Sequence, residues 1–546
     1  MASPSTSSTV AVIGLGALGL VTVKNLLEEG FEVTGFEKNP YVGGLWKYTE
    51  DAQTSALQST IANITKQRGC FTDFPFPNDT PLYPTAADVE RYLADYAKHF
   101  GLMSHLKLET TVTNVRRDEQ NQKWVLTVKD TSGGETVQSF DKVVVANGTN
   151  NKPNIPTLEG QEGFAGKILH SRDFKRPEAF KNQRVMVVGL GNTAADVATV
   201  LVGTAAKVYL SHRQGSIVLP RIFPDGTVLD HSMTYRKTMI QLQMAKWAPG
   251  LAEKVSNAFV KGLQDKVFRI RDEWKLSPAP SIAHHIPTIS DNLVEELEKG
   301  HIDSTVGPSK VTGPSNVELE DGEQVEVDSI IWCTGYKVDF SLVGEFDPTL
   351  HSDAHYNVVH DGGRTEKHPL SLPRLYRNIF SLQHPDSLAF AGTAAHPAPI
   401  FQTFDLASMA MAQVWKNPAE LLPSKDEMMK SVQRHLNWAQ SIADRGPFNP
   451  RLVNAPEWVE WAEDTAGVRV SEQLGYGIQG WRFWLRDPQL CKMLLDGILS
   501  PHIYRLFESD RRKAWSGARE AIEKANKQAK ERLDLIRAQK HEALKD

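Results

Sequence analysis

The chain writes the same pattern twice, an apolar strand, a glycine-rich turn and then a helix, first at Gly14 and again at Gly189. Such a pattern commits the backbone to a β-α-β unit whose helix N-terminus faces a gap the size of a phosphate group. In the first copy, Val10 to Ile13 is a β-rich run, Ala17 to Glu29 has helical spacing, and Phe31 to Phe36 is β-rich again. Between them stands Gly14-Leu15-Gly16-Ala17-Leu18-Gly19. Gly14 makes the tight turn, Gly16 has no side chain to block a pyrophosphate, and Gly19 lets the helix pack close to the strand. Glu37 closes the second strand at the spacing where a carboxylate accepts ribose hydroxyls and repels a 2′-phosphate. The first pocket therefore suits FAD or NAD and rejects NADPH.

The second copy differs at one end. Val185 to Val188 leads into Gly189-Leu190-Gly191-Asn192-Thr193-Ala194 and a helix containing Asp196. The following strand, Lys207 to Leu210, ends in Ser211-His212-Arg213, a hydroxyl and a guanidinium where the first copy has an acid. A charge-assisted bond from Arg213 is worth about 1.5–3 kcal/mol, a preference for NADPH over NADH of about 10- to 150-fold. Gly189, Gly191, Asn192, Thr193, Ser211 and Arg213 are the expected NADPH contacts.

These motifs set the organisation of a 546-residue chain, too long for one core. The expected fold is α/β, with two Rossmann-like dinucleotide-binding domains and the NADPH domain inserted in the FAD domain. Residues 1–178 form the first part of the FAD domain, 179–335 the NADPH domain with a helical insertion at about 233–285, and 336–546 the second part with a helical tail. A strand at Ser329 to Trp332 marks the return. The tail from Ala518, with mixed charges and weak apolar spacing at Ile522, Ala529, Leu533 and Ile536, reads as a solvated helix. A formal net charge of -5 argues against a nucleic-acid carrier, and three cysteines without a C-x-x-C pair write neither a zinc cluster nor a disulfide framework. No metal site is expected. The Ser/Thr-rich start lacks the features of a secretory signal, and no apolar run reaches the roughly 18 residues a spanning helix needs. A reducing, cytoplasmic location follows, with small-molecule partners and a homo-oligomer, a dimer, as the expected assembly.

The segment Phe164-Ala165-Gly166-Lys167-Ile168-Leu169-His170-Ser171-Arg172-Asp173-Phe174 resembles the F-x-G-x-x-x-H-x-x-x-[YF] fingerprint of the flavin-containing monooxygenases, among the class B flavoprotein monooxygenases. Phe164, Gly166, His170 and Phe174 are its motif residues, and Phe174 stands where Baeyer-Villiger enzymes typically have Trp. The similarity runs nearly end to end, through Val42-Gly43-Gly44-Leu45-Trp46, which puts Gly44, Leu45 and Trp46 on the flavin, to Tyr504-Arg505-Leu506 with Trp515. The sequence departs from the family in lacking its apolar C-terminal membrane segment and in having Ala407 and Met409 where polar residues are usual.

The resemblance implies FAD and NADPH as cofactors and a monooxygenase of the N,N-dimethylaniline type, which oxygenates soft nitrogen or sulfur nucleophiles with O₂ through a C4a-hydroperoxyflavin. It also singles out Asn63, in Ser59-Thr60-Ile61-Ala62-Asn63-Ile64-Thr65-Lys66, as the residue beside the reacting edge of the flavin. An uncharged amide there donates and accepts hydrogen bonds without drawing in water. A Baeyer-Villiger monooxygenase or an amine N-hydroxylase on the same scaffold is the nearest alternative. A FAD- and NADPH-binding redox sensor or NADPH oxidase is the alternative from another class.

Overall fold

A computed structural model describes residues 7–283, 285–359 and 365–543. The strand Thr9–Ile13 is apolar and buried from Val10 onward, as a strand covered on both faces must be, and it pairs in parallel with Glu32–Phe36 and Lys142–Val145. The seven-stranded sheet around it runs, from one edge, Leu375–Tyr376, Phe380–Ser381, Leu388–Phe390, Lys142–Val145, Thr9–Ile13, Glu32–Phe36 and Leu106–Lys107. Alternation along Thr9–Ile13 divides the core. Val10 and Val12 pack with helices Ala17–Glu28 and Ile400–Lys416, whereas Ala11 and Ile13 pack with Trp124 and Leu126 of a three-stranded antiparallel sheet.

The second unit repeats this plan with different residues. Its five strands, in the order Ile302–Thr305, Lys207–Ser211, Arg184–Val188, Ser329–Trp332 and Lys167–His170, are all parallel. Val185 and Val187 face helix Asn192–Leu201, and Met186 and Val188 face the antiparallel strands Pro308–Gly313, Asn316–Leu319 and Gln324–Glu326. The chain thus holds two Rossmann-type units, and the second interrupts the first. The outer strand of the second sheet comes from residues ahead of its glycine turn. Exit and return lie side by side, Lys152–Pro153 pairing antiparallel with Tyr336–Lys337.

Helices Tyr235–Trp247 and Pro249–Asp265 occupy the expected insertion. The first of them reaches back across the molecule: Tyr235 and Met239 join the core of the first unit, and helix Tyr235–Trp247 lies against Ala455–Ala466 and Pro488–Asp496. The terminal helix Ala518–Ala543 corrects the reading of a solvated tail. Ala518, Ile522 and Ala525 are buried, and Asn526 accepts from the Ile498 backbone at 3.0 Å. Their i, i+4, i+7 spacing forms an apolar stripe too short to stand out among mixed charges, but sufficient to dock the first half of the helix.

A buried charge cluster ties the end of the chain to the helix after the first glycine turn. Glu28 receives Arg505 at 3.0 Å and Arg512 at 3.2 Å, with Lys24 at 3.5 Å, and Lys24 also pairs with Asp73. Burial alone would raise the Glu28 carboxyl, but the three cations outweigh it and bring it from an ordinary 4.5 to about 2. Since the folded-state value is the lower one, the Glu28 contribution to stability is complete above about pH 4.5 and is lost as the pH falls toward 2. Glu28→Gln should lower stability at pH 7 by about 1.5–3 kcal/mol in denaturant melts and flatten the loss of stability between pH 4.5 and 2; an unchanged acid profile would contradict this role.

Candidate functional site

The first glycine turn has the shape its sequence requires. Gly14 has φ +96°, and a Cβ on it would lie 2.5 Å from the Ala146 carbonyl oxygen; a Cβ on Gly19 would lie 1.8 Å from the Gly14 carbonyl oxygen. At Gly16 the surroundings are open, the nearest atom to such a Cβ being Gly44 Cα at 3.7 Å. Gly16 caps helix Ala17–Glu28 with no side chain over its N-terminus, so the first amide groups stay available to an anion. Gly43, with φ +103°, pairs with Gly16 and leads into the single turn Gly44–Trp46, which sits over the glycine turn. Leu45 is exposed, and Trp46 meets Phe401 edge-on at 6.5 Å. This cradle fits a pyrophosphate.

Glu37 is buried at the end of its strand, and Oε2 accepts from the Leu15 amide at 2.9 Å. Oε1 accepts from Asn39 through its amide at 3.1 Å and its side chain at 2.8 Å. The carboxylate therefore also pins the glycine turn, with lone-pair capacity left for a ribose hydroxyl.

The second turn is built alike. Gly189 has φ +132° and approaches the Cys333 carbonyl, and a Cβ on Gly191 would meet nothing within 4 Å. Asn192 Oδ1 accepts from the Ile289 amide at 2.7 Å, and Thr193 is exposed at the helix start. Ser211 is not brought to the cleft: it is fully buried and its hydroxyl donates to the Val306 carbonyl at 2.7 Å. Arg213 is exposed just beyond it. Sequence reasoning passed over His212, which is buried with Nδ1 at 3.0 Å from the Gln214 carbonyl and Nε2 at 2.9 Å from Ser304 Oγ. Burial brings its pKa down to about 4, so a neutral ring locks the turn that presents Arg213.

The fingerprint residues lie where the two units join. His170 is fully buried, with Nε2 2.9 Å from the Gly335 carbonyl and Nδ1 accepting from the Arg172 amide at 3.1 Å. Both nitrogens are engaged and burial lowers the pKa, so the ring is a neutral connector between strand and return segment. A Cβ on Gly166 would collide with the Asp328 carbonyl at 2.3 Å and the Phe164 ring at 2.7 Å, and Phe174 stacks on Phe180. Of the two family departures, Met409 is core and Ala407 is partly buried.

Asn63 belongs to the first unit, yet its partners come from the second. Arg221 Nη2 donates to Asn63 Oδ1 at 2.7 Å and to the Ile61 carbonyl at 3.0 Å, and Nε donates to the Ala62 carbonyl at 3.1 Å. Asp291 holds the other side of this buried guanidinium at 2.8 Å, and Tyr83 donates to the Arg221 carbonyl at 2.6 Å. Two residues on, Thr65 gives its amide and hydroxyl to Asp230. A guanidinium can only donate, so it fixes the amide with its oxygen inward and its NH₂ outward, making Asn63 chiefly a donor. Asp196, nearby on the helix after the second turn, is raised to about 6 by burial and by Asp291, against Arg221. No motif marks Arg221; a lone Arg after Val218-Leu219-Pro220 carries no sign that it will meet a loop 158 positions earlier.

The family model described as flavin-binding monooxygenase-like matches residues 7–544, and the chain belongs to that family. It is a flavoprotein monooxygenase that uses FAD and NADPH. It is 48% identical to monooxygenase aurF of Gibberella zeae, over 94% of this chain and 96% of that one. It is 29% identical to flavin-containing monooxygenase 5 of Cavia porcellus, over 95% of this chain and 91% of that one. Among solved structures it resembles S-allyl-L-cysteine S-oxygenase from Allium sativum, with TM-score 0.61, 21% identity and coverage of 96% and 99% of the two chains. It also resembles cyclohexanone monooxygenase in its open form, with TM-score 0.58, 17% identity and coverage of 86% and 98%. Among the described residues no helix is long and apolar enough to cross a membrane.

Arg221→Gln should leave FAD content unchanged and lower kcat/KM on the order of tenfold, about 1.4 kcal/mol. Adding Asn63→Ala should then cost little more, because both changes remove one interaction; losses that multiply would mean that the two residues act independently.

Proposed function

We propose that the enzyme oxygenates soft nucleophilic nitrogen or sulfur atoms of small molecules, using NADPH and O₂. The observation that carries this reading is the oriented amide of Asn63: a neutral donor, held by a guanidinium from the NADPH unit, on the loop that the family resemblance assigns to the flavin edge. Bound FAD supplies hydride acceptance from NADPH and activation of oxygen. Gly14, Gly16 and Gly19 let its pyrophosphate approach the helix N-terminus, Glu37 accepts from its ribose, and Gly44, Leu45 and Trp46 cover it. Gly189, Gly191, Asn192 and Thr193 take the pyrophosphate of NADPH, and Arg213 takes its 2′-phosphate. Asn63 donates from Nδ2 to oxygen or to the nicotinamide without bringing in the water a charged group would hold. His170, neutral and doubly bonded, connects the units and transfers no proton.

Phe174 in place of Trp supports heteroatom oxygenation over Baeyer-Villiger chemistry. The free cysteines Cys70, Cys333 and Cys491 support a reducing, cytoplasmic setting. The purified enzyme should consume NADPH with a thioether or a tertiary amine and yield sulfoxide or N-oxide. Lactone or ester from a ketone alone would favour the Baeyer-Villiger alternative, and stoichiometric peroxide with every nucleophile would favour a sensor or oxidase.

Arg213→Ala should raise KM for NADPH about 10- to 150-fold and leave KM for NADH nearly unchanged in steady-state assays, whereas equal changes for both would remove Arg213 from the phosphate site.

A further inference from the structure

Arg451 is a half-buried cation that faces no acid among the described residues. Its backbone joins the first unit, with the Arg451 carbonyl accepting from Ala395 at 2.8 Å and Val453 donating back to the Ala395 carbonyl at 2.9 Å. Nη1 donates to Thr149 Oγ1 at 2.9 Å. Burial lowers the proton affinity of the guanidinium, and no neighbouring charge opposes that. The more deeply buried cations are paired instead: Arg221 faces Asp291, Arg505 and Arg512 face Glu28, and Lys24 faces Asp73. A charge partly withdrawn from water without a counter-charge carries a desolvation cost, and a ligand anion is one way to offset it.

Its surroundings identify the anion. Thr149 follows Ala146-Asn147-Gly148 at the carboxyl end of strand Lys142–Val145. A Cβ on Gly392, just past strand Leu388–Phe390, would lie 3.8 Å from Thr149 Cγ2 and 2.8 Å from Leu18 Cδ2, and Leu18 belongs to the first glycine motif. Through Thr149, Arg451 therefore reaches the carboxyl edge of the parallel strands of the first sheet, on the side of Leu18, where open sheets of this kind hold nucleotides. That turn has no cation of its own. No lysine or arginine occurs in Gly14–Gly19 or Gly43–Trp46, Lys47 is paired with Glu90, and Glu37 adds a negative charge.

We propose that Arg451, steadied by Thr149 Oγ1, binds the pyrophosphate of FAD and provides the positive charge that the first glycine turn lacks. This rests on the assignment of FAD to the first pocket. The test is fluorescence titration of apoprotein with FAD and, separately, with riboflavin, which carries no phosphate. Arg451→Gln should weaken FAD about 10- to 150-fold, leave riboflavin unchanged and flatten the dependence of FAD affinity on salt. Arg451→Lys should recover part of the loss, and Thr149→Val, which keeps the guanidinium, should weaken FAD severalfold even if the glutamine variant does not fold. Equal FAD affinity in wild type and Arg451→Gln overturns the proposal, as does a parallel fall for FAD and riboflavin. Unchanged FAD affinity with a selective loss of kcat/KM for a carboxylated thioether relative to its methyl ester would give the guanidinium to a substrate and overturn it too. Wild-type apoprotein that binds no FAD would overturn the pocket assignment and the proposal together.

Discussion

The guanidinium of Arg221 is the joint on which the site depends. It is anchored to Asp291 in the second unit and gives its other donors to three successive residues of a loop in the first. A backbone loop cannot by itself hold a side-chain amide in one orientation; a planar, donor-only group on a rigid neighbour can. The geometry of Asn63 is therefore a property of the domain pair, and Asp230, gripping Thr65 from the same side, extends the contact along the loop.

Around that joint, one architectural plan serves two ligands. Each unit has a core of parallel strands, extended in the first by an antiparallel edge, with a helix on one face and an antiparallel three-stranded sheet on the other, and each glycine turn leaves its helix N-terminus without a side-chain cap. What separates them is the charge beyond the second strand, Glu37 in one and Arg213 in the other. On the proposed reading, discrimination between cofactors rests on these few side chains at strand ends, while the sheets supply rigidity common to both.

Much of this was legible in the residues because glycine turns and parallel strands are local facts. Val10–Ile13 and Val185–Val188 are continuous apolar runs, and no arrangement other than a buried strand suits them before such turns. The charges on Glu37 and Arg213 were legible for the same reason, since register with the turn places them. Ser211 misled because position along a strand does not say which way a hydroxyl points; burial and the Val306 carbonyl decide it. Arg221, His212 and the packed half of the terminal helix were not legible, for their partners lie far away in sequence. The helix stripe Ala518, Ile522 and Ala525 becomes meaningful only once the segment it covers has folded.

The paired strands Lys152–Pro153 and Tyr336–Lys337 make both covalent crossings between the units run through one narrow neck. Among the described residues no covalent link joins the units away from that neck, and their alignment rests on packing and polar contacts, among them Tyr235 and Met239 in the first core and Arg221 on the loop of Asn63. Separating the units would draw Arg221 off the carbonyls of Ile61 and Ala62 and free the Asn63 amide to flip. The docking of one unit on the other and the orientation of that amide are thereby one and the same constraint.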